Sequence, residues 1–170
     1  MSATKLHGPD AFHVRAAIGW LELGNATEAG EELARLSPAA MEHPDVLEVR
    51  WQVCATTQSW DAALAVGEEL VKTAPKRASS WIHRAYAFRR AKVGSLQKAW
   101  DALVPAATLF PKNPMILYNL ACYAAQFGKL ENAWEWLHKA VKAAKDVETI
   151  KGMALVDRDL EPLWERIRDL

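Results

Sequence analysis

Apolar positions recur at helical spacing along almost the whole chain. The clearest stretch carries Ile116, Leu117, Leu120, Ala121 and Ala124, breaks at Gly128, then resumes with Leu130, Ala133, Trp134, Leu137, Ala140 and Val141. Intervals of three and four residues put these side chains on one face of each of two helices. The pattern then repeats. Counting from Asp10 as position 1, four blocks of equal length align at 10–43, 44–77, 80–113 and 114–147, with Ala78 and Ser79 inserted between the second and third.

Position 20 is alanine in every block: Ala29, Ala63, Ala99 and Ala133. Position 8 reads Ala17, Trp51, Ala87 and Ala121, and position 24 reads Leu33, Gly67, Leu103 and Leu137. Small residues are expected where two helices cross closest, because bulk there forces the axes apart. Position 15 reads Gly24, Gln58, Gly94 and Gly128, the place where a first helix must stop and a positive φ favours glycine. Pro75 and Pro111 close the second and third blocks. The pattern predicts a first helix over positions 1–14 and a second over about 17–30 in each block. A single pair leaves faces uncovered, so neighbouring pairs must stack.

This register resembles the tetratricopeptide repeat (TPR) family over residues 10–147, most closely in YNLACYAAQFGKLENAWEWLHKAV (118–141). The resemblance implies an all-α fold, a right-handed α-solenoid of antiparallel helix pairs whose first helices line a concave groove. Residues 10–170 are expected to form one domain behind a short tail at 1–9. The second block departs most, with Trp51, Gln58 and Gly67, and Trp51 facing Gly67 is expected as a size swap. Residues 148–170 read as a degenerate fifth repeat that caps the stack. A helix over 148–155 is followed by a second over 160–170, with Asp159 as its N-cap. Leu160, Leu163, Trp164 and Ile167 are expected to face inward. No cap is visible at the other end, which suits a partly exposed first helix or a homodimer through the N-terminal repeat.

Composition narrows the setting. Of 170 residues, 51% are apolar, enough for one extended core. No apolar run marks a signal peptide or a membrane span, and Cys54 and Cys122 read as buried free thiols, so a reducing cytoplasm is expected. Residues 1–79 carry a net charge of −4 and residues 80–170 a net of +4, so the total of zero hides a dipole.

The sequence offers little chemistry of its own. His7, His13, His43, His83 and His138 show no metal-ligand spacing, and phosphate loops, dinucleotide fingerprints and nucleophile elbows are all absent. The pairs Glu31-Glu32 and Glu68-Glu69 read as solvated second-helix faces. No enzyme, metal or cofactor is expected.

The groove is the better candidate. In the third block the resemblance places Trp81, Arg84, Phe88 and Lys92 there, and in the fourth Met115, Tyr118, Asn119 and Gln126. Aromatic anchors beside arginine are the usual composition of a binding hot spot. The competing reading makes Trp81 and Phe88 packing between repeats. The expected function is a protein-interaction scaffold or adaptor that holds a peptide or partner domain in the groove of blocks three and four. The positive charge favours an acidic peptide near Arg84 and Lys92. The basic and amide set of the subclass that clamps chaperone C-termini is met only at Arg84 and Asn119. It fails at Phe88, Thr149 and Met153. A secretion-type chaperone holding an extended client is one alternative. Single-stranded nucleic-acid binding along Trp81, Arg84, Phe88 and Lys92 is a weaker one, given the neutral total.

Overall fold

The structure, a computed structural model, describes residues 5–170 and holds no strand among them. Ten α-helices follow in order: α1 Gly8–Glu22, α2 Ala26–Ala34, α3 Pro44–Thr56, α4 Trp60–Thr73, α5 Ala78–Phe88, α6 Leu96–Leu109, α7 Pro114–Gln126, α8 Leu130–Ala143, α9 Val147–Val156 and α10 Trp164–Arg168. A 3-10 segment, Arg158–Leu163, lies between the last two. The expected second helices of blocks two, three and four match α4, α6 and α8 end to end. Residues 1–4 of the expected tail lie outside the described residues, and α1 already begins at Gly8.

The helix boundaries have local causes. Asn25, Asn113, Asp146 and Asp157 each accept a backbone N–H from their side chains at a helix start. Pro44 and Pro114 occupy first turns, where the missing N–H costs nothing. Gly24 (φ 76°) and Gly128 (φ 73°) end α1 and α7 in the left-handed region. Gln58 takes the same turn at φ 55° and is the one non-glycine residue there among those described.

The chain divides into two compact units, Met1–Ser95 and Leu96–Leu170. In the first, α1 packs on α2, α3 on α4 and α4 on α5, with further contact of α3 to α1, α2 and α5. The position-20 and position-8 alanines of this unit, Ala29, Ala63, Ala17 and Ala87, are wholly buried. One apolar cluster gathers Val14, Leu33, Leu36, Val46 and Val49; another gathers Leu47, Trp51, Leu64, Val66 and Leu70. Asp10 ties α1 to the turn after α2, its carboxylate accepting from Ser37 N at 2.8 Å and Ser37 Oγ at 2.7 Å. Those two hydrogen bonds hold the Asp10 carboxyl below its ordinary value.

In the second unit α7 is the central helix. It packs on α8, α6 and the 3-10 segment, while α9 lies against α8 and α10. Nine of its residues are buried, from Ile116 through Ala125. The last segment buries Leu160, Leu163 and Ile167, three of the four residues expected to face inward, and leaves Glu161, Glu165, Arg166, Arg168 and Asp169 exposed. Trp164 is half-buried, its Nε1 donating to Ala154 O at 3.0 Å. Lys151 Nζ reaches Arg168 O at 2.8 Å and Leu170 O at 3.1 Å, closing the C-terminus.

Several expectations need correction. The N-cap before the last segment is Asp157, not Asp159, because the turn tightens to 3-10 geometry around Pro162. Gly67 faces the backbone of Arg84 rather than Trp51: a Cβ at position 67 would lie 2.9 Å from Arg84 Cα. Trp51 instead stacks on His83. Glu32 is buried, not solvated, because His13 Nδ1 at 2.7 Å and Arg35 at 2.6 Å pair with it. The first helix of block three stops at Phe88, five residues short of position 14. Gly94 is therefore required by closeness rather than by a positive φ, since a Cβ there would fall 1.8 Å from Phe88 O. Cys54 is half-buried, whereas Cys122 is buried; neither is in a disulfide.

Candidate functional site

The expected groove residues divide between the two units. On α5, Trp81 is half-buried and its Nε1 donates to Pro75 O at 2.9 Å, fixing the indole over the preceding turn. The Arg84 guanidinium lies 4.9 Å from the Trp81 ring centroid. Burial pulls the Arg84 pKa below its ordinary value, partly offset by nearby Glu68. Phe88 packs against the cluster around Trp51 and Leu70, so it serves the core.

Lys92 lies beyond the end of α5. It is exposed, and its backbone N–H donates to Asp61 Oδ1 at 2.9 Å. Trp81, Arg84, Phe88 and Lys92 therefore do not form one helical stripe, which removes the geometric basis of the nucleic-acid alternative. The structure adds a pairing that crosses blocks. Glu48 of α3 accepts from Ser79 Oγ and meets His83 Nε2 at 2.7 Å. Burial pushes the Glu48 carboxyl up, but the His83 and Ser79 hydrogen bonds and the charge of Arg77 outweigh it and hold it below its ordinary value.

In the second unit the four expected residues of α7 have different roles. Tyr118 is buried, and its hydroxyl donates to Asp157 Oδ2 at 3.0 Å. Cys122 Sγ donates to the same oxygen at 3.4 Å. Burial above all pushes the Tyr118 phenol well above its ordinary range. Asn119 donates from Nδ2 to Met115 O at 2.7 Å within its own helix. Tyr118 thus lies inside the unit, contrary to its expected place facing a ligand, while Asn119 is half-buried. Gln126 is exposed at the end of α7.

Cys122, Asp157 and Asp159 bring a thiol and two carboxylates within 4.8 Å of one another, the kind of donor set that could hold a metal ion. Asp157 already accepts from Tyr118, Cys122 and the Asp159 backbone N–H, so the cluster acts as a polar clasp between α7 and the start of the 3-10 segment.

Met115 lines an open cleft. It is half-buried on one wall of this space of about 390 Å³, with Pro114, Ala143, Ile150 and Met153 as the other apolar walls. Lys112 and Lys145 stand exposed among its lining residues. The cleft exists because α7 starts, α8 ends and α9 starts at the same level, and Ala143 and Ala144 are too small to fill the gap. Met153, Lys112 and Lys145 were not among the expected site residues. Continuing the 34-residue count into a fifth block puts Thr149 and Met153 at groove positions 2 and 6, which was the available signal.

No family model matches this sequence, and no curated protein matches it either. Solved structures do match. The MamA 41-end structure from Desulfovibrio magneticus RS-1 aligns over 98% of this chain and 97% of its own at 16% identity, with a TM-score of 0.70. TTC0263, a thermophilic TPR protein of Thermus thermophilus, aligns over 95% of this chain and 100% of its own at 17% identity, also with a TM-score of 0.70. Cut9, from the Cut9–Hcn1 hetero-tetramer of the APC/C, covers 91% of this chain over 29% of the matched chain at 16% identity, with a TM-score of 0.64. The fold is that of a tetratricopeptide-repeat protein. At these identities the likeness carries the fold. No helix is long and apolar enough to cross a membrane among the described residues.

Proposed function

We propose that the protein is a non-enzymatic interaction scaffold that holds a peptide or partner domain on its first-helix faces. In the second unit the holding surface is the cleft beside Met115. In the first unit it is the half-buried pair Trp81 and Arg84 on α5, with exposed Lys92 just beyond. The observation that carries this reading is the cleft itself, an apolar cavity that the unit's own side chains leave unfilled. Ready-made apolar volume with few polar groups around it is how proteins present a binding site. Cut9, one of the fold's neighbours, is seen in a hetero-tetramer with Hcn1. Two of the histidines are paired with carboxylates of the fold: His13 with Glu32 and His83 with Glu48.

Site-specific photo-crosslinking tests it. A photoreactive amino acid at Met115 should give a discrete covalent product with a second protein, and one at exposed Glu135 on α8 should not. Equal products from both positions, or none from Met115, would rule the cleft out.

A further inference from the structure

The cleft beside Met115 also has a chemistry, and this step rests on the scaffold reading above. Its walls are apolar, with Met115 and Met153 facing an opening that Ala143 and Ala144 leave wide. Thioether side chains on flexible stems adapt to ligands of different shape. A volume of about 390 Å³ lies at the small end of natural ligand pockets, room for one or two apolar side chains rather than a folded surface.

The rim is charged unevenly. Lys112 and Lys145 are exposed, and neither has an acidic partner among the described residues. The one carboxylate of the lining, Asp146, is engaged as the N-cap of α9. Its Oδ1 accepts from Glu148 N at 3.1 Å and its Oδ2 accepts from Thr149 Oγ1. A carboxylate there is held by the helix start, where negative charge is favourable. Two exposed ammonium groups therefore stand against one ionised carboxylate beside an apolar hole, an excess of positive charge.

We propose that this cleft takes an acidic peptide segment of a partner protein, seating an aliphatic side chain between Met115 and Met153 while flanking carboxylates pair with Lys112 and Lys145. Nucleic acid suits it less, because no aromatic ring lines the cleft to stack a base. The lysines supply attraction and register, and the apolar wall supplies the anchor.

Fluorescence anisotropy on the whole protein tests this. The probe is a labelled peptide of about nine residues with a central leucine and two aspartates or glutamates on each side. It should bind roughly tenfold tighter than the same peptide with amides replacing the carboxylates, and tighter than one with glycine replacing leucine. Raising salt from about 50 to about 500 mM should weaken it several-fold. The double variant Lys112→Glu/Lys145→Glu should lose at least about tenfold, whereas Lys129→Glu, outside the cleft, should change nothing. Both lysines are exposed, so circular dichroism should confirm an intact fold. Equal binding of acidic and amide peptides, indifference to the double reversal, or tighter binding of a labelled single-stranded RNA would overturn the proposal. If cross-linking at Met115 still captures a protein while the acidic peptide fails to bind, this chemistry falls and the scaffold reading stands. Loss of both removes the two together.

Discussion

The imidazole of His83 lies flat against the indole of Trp51, with ring centroids 3.9 Å apart and planes 12° from parallel. Its Nε2 reaches Glu48 at 2.7 Å, so one side chain of α5 is held by two of α3. Removing the charge of Glu48 should expose how much this junction matters. The folded Glu48 pKa is depressed below its ordinary value of 4.5, so its contribution is fully present above that pH and is lost as pH falls through the folded pKa. Glu48→Gln should unfold at a lower urea concentration than the wild type near pH 6, and the gap should narrow near pH 4. A gap that stays constant with pH would show that Glu48 contributes no charge-dependent stability.

Gly67→Ala should destabilise the first unit by about 1–3 kcal/mol, although alanine favours an isolated helix. The added methyl would sit 2.9 Å from Arg84 Cα and 3.1 Å from its N, and backbone atoms cannot swing aside. Denaturant midpoints measure this; an unchanged or raised midpoint would contradict the close crossing of α4 and α5.

Gln58→Gly should act in the opposite direction. Gln58 is exposed at φ 55°, where a side chain is strained and glycine is not. A gain of about 0.5–1 kcal/mol in the same unfolding assay is expected. A loss would mean that the glutamine makes up for its strain elsewhere.

Tyr118→Phe should cost about 1–2 kcal/mol by leaving Asp157 short of a buried donor. The phenol's folded pKa is raised above its ordinary value of 10.0, so its stabilising effect is complete below that pH and fades as pH climbs beyond it. Thermal melts across the alkaline range should therefore show the wild type falling more steeply than the variant. Parallel decline would show that Tyr118 is not held neutral by its site.

The period made much of this fold legible. Wholly buried alanines at 29, 63, 99 and 133 mark the crossings, and α4, α6 and α8 fall where the count put them. What was not legible depended on partners distant in sequence. The burial of Glu32 follows from His13, 19 residues earlier on another helix. Beyond the early end of α5, Asp61 holds the Lys92 N–H across 31 residues. Tyr118 read as a ligand-facing aromatic because nothing local announced that Asp157 would turn back to meet it. Of the expected site residues Met115 lines the cleft, because the cleft is built from three helix ends that a helix-face pattern does not display.

Affinity capture with quantitative mass spectrometry, comparing wild type with Met153→Trp and Glu135→Lys, tests the scaffold claim most directly. A tryptophan at 153 should fill the cleft without altering its rim charge, while Glu135 lies exposed on α8. A defined partner set should be retained by the wild type and by Glu135→Lys and depleted at least about tenfold by a folded Met153→Trp. The same partners recovered equally by all three proteins would contradict the scaffold claim.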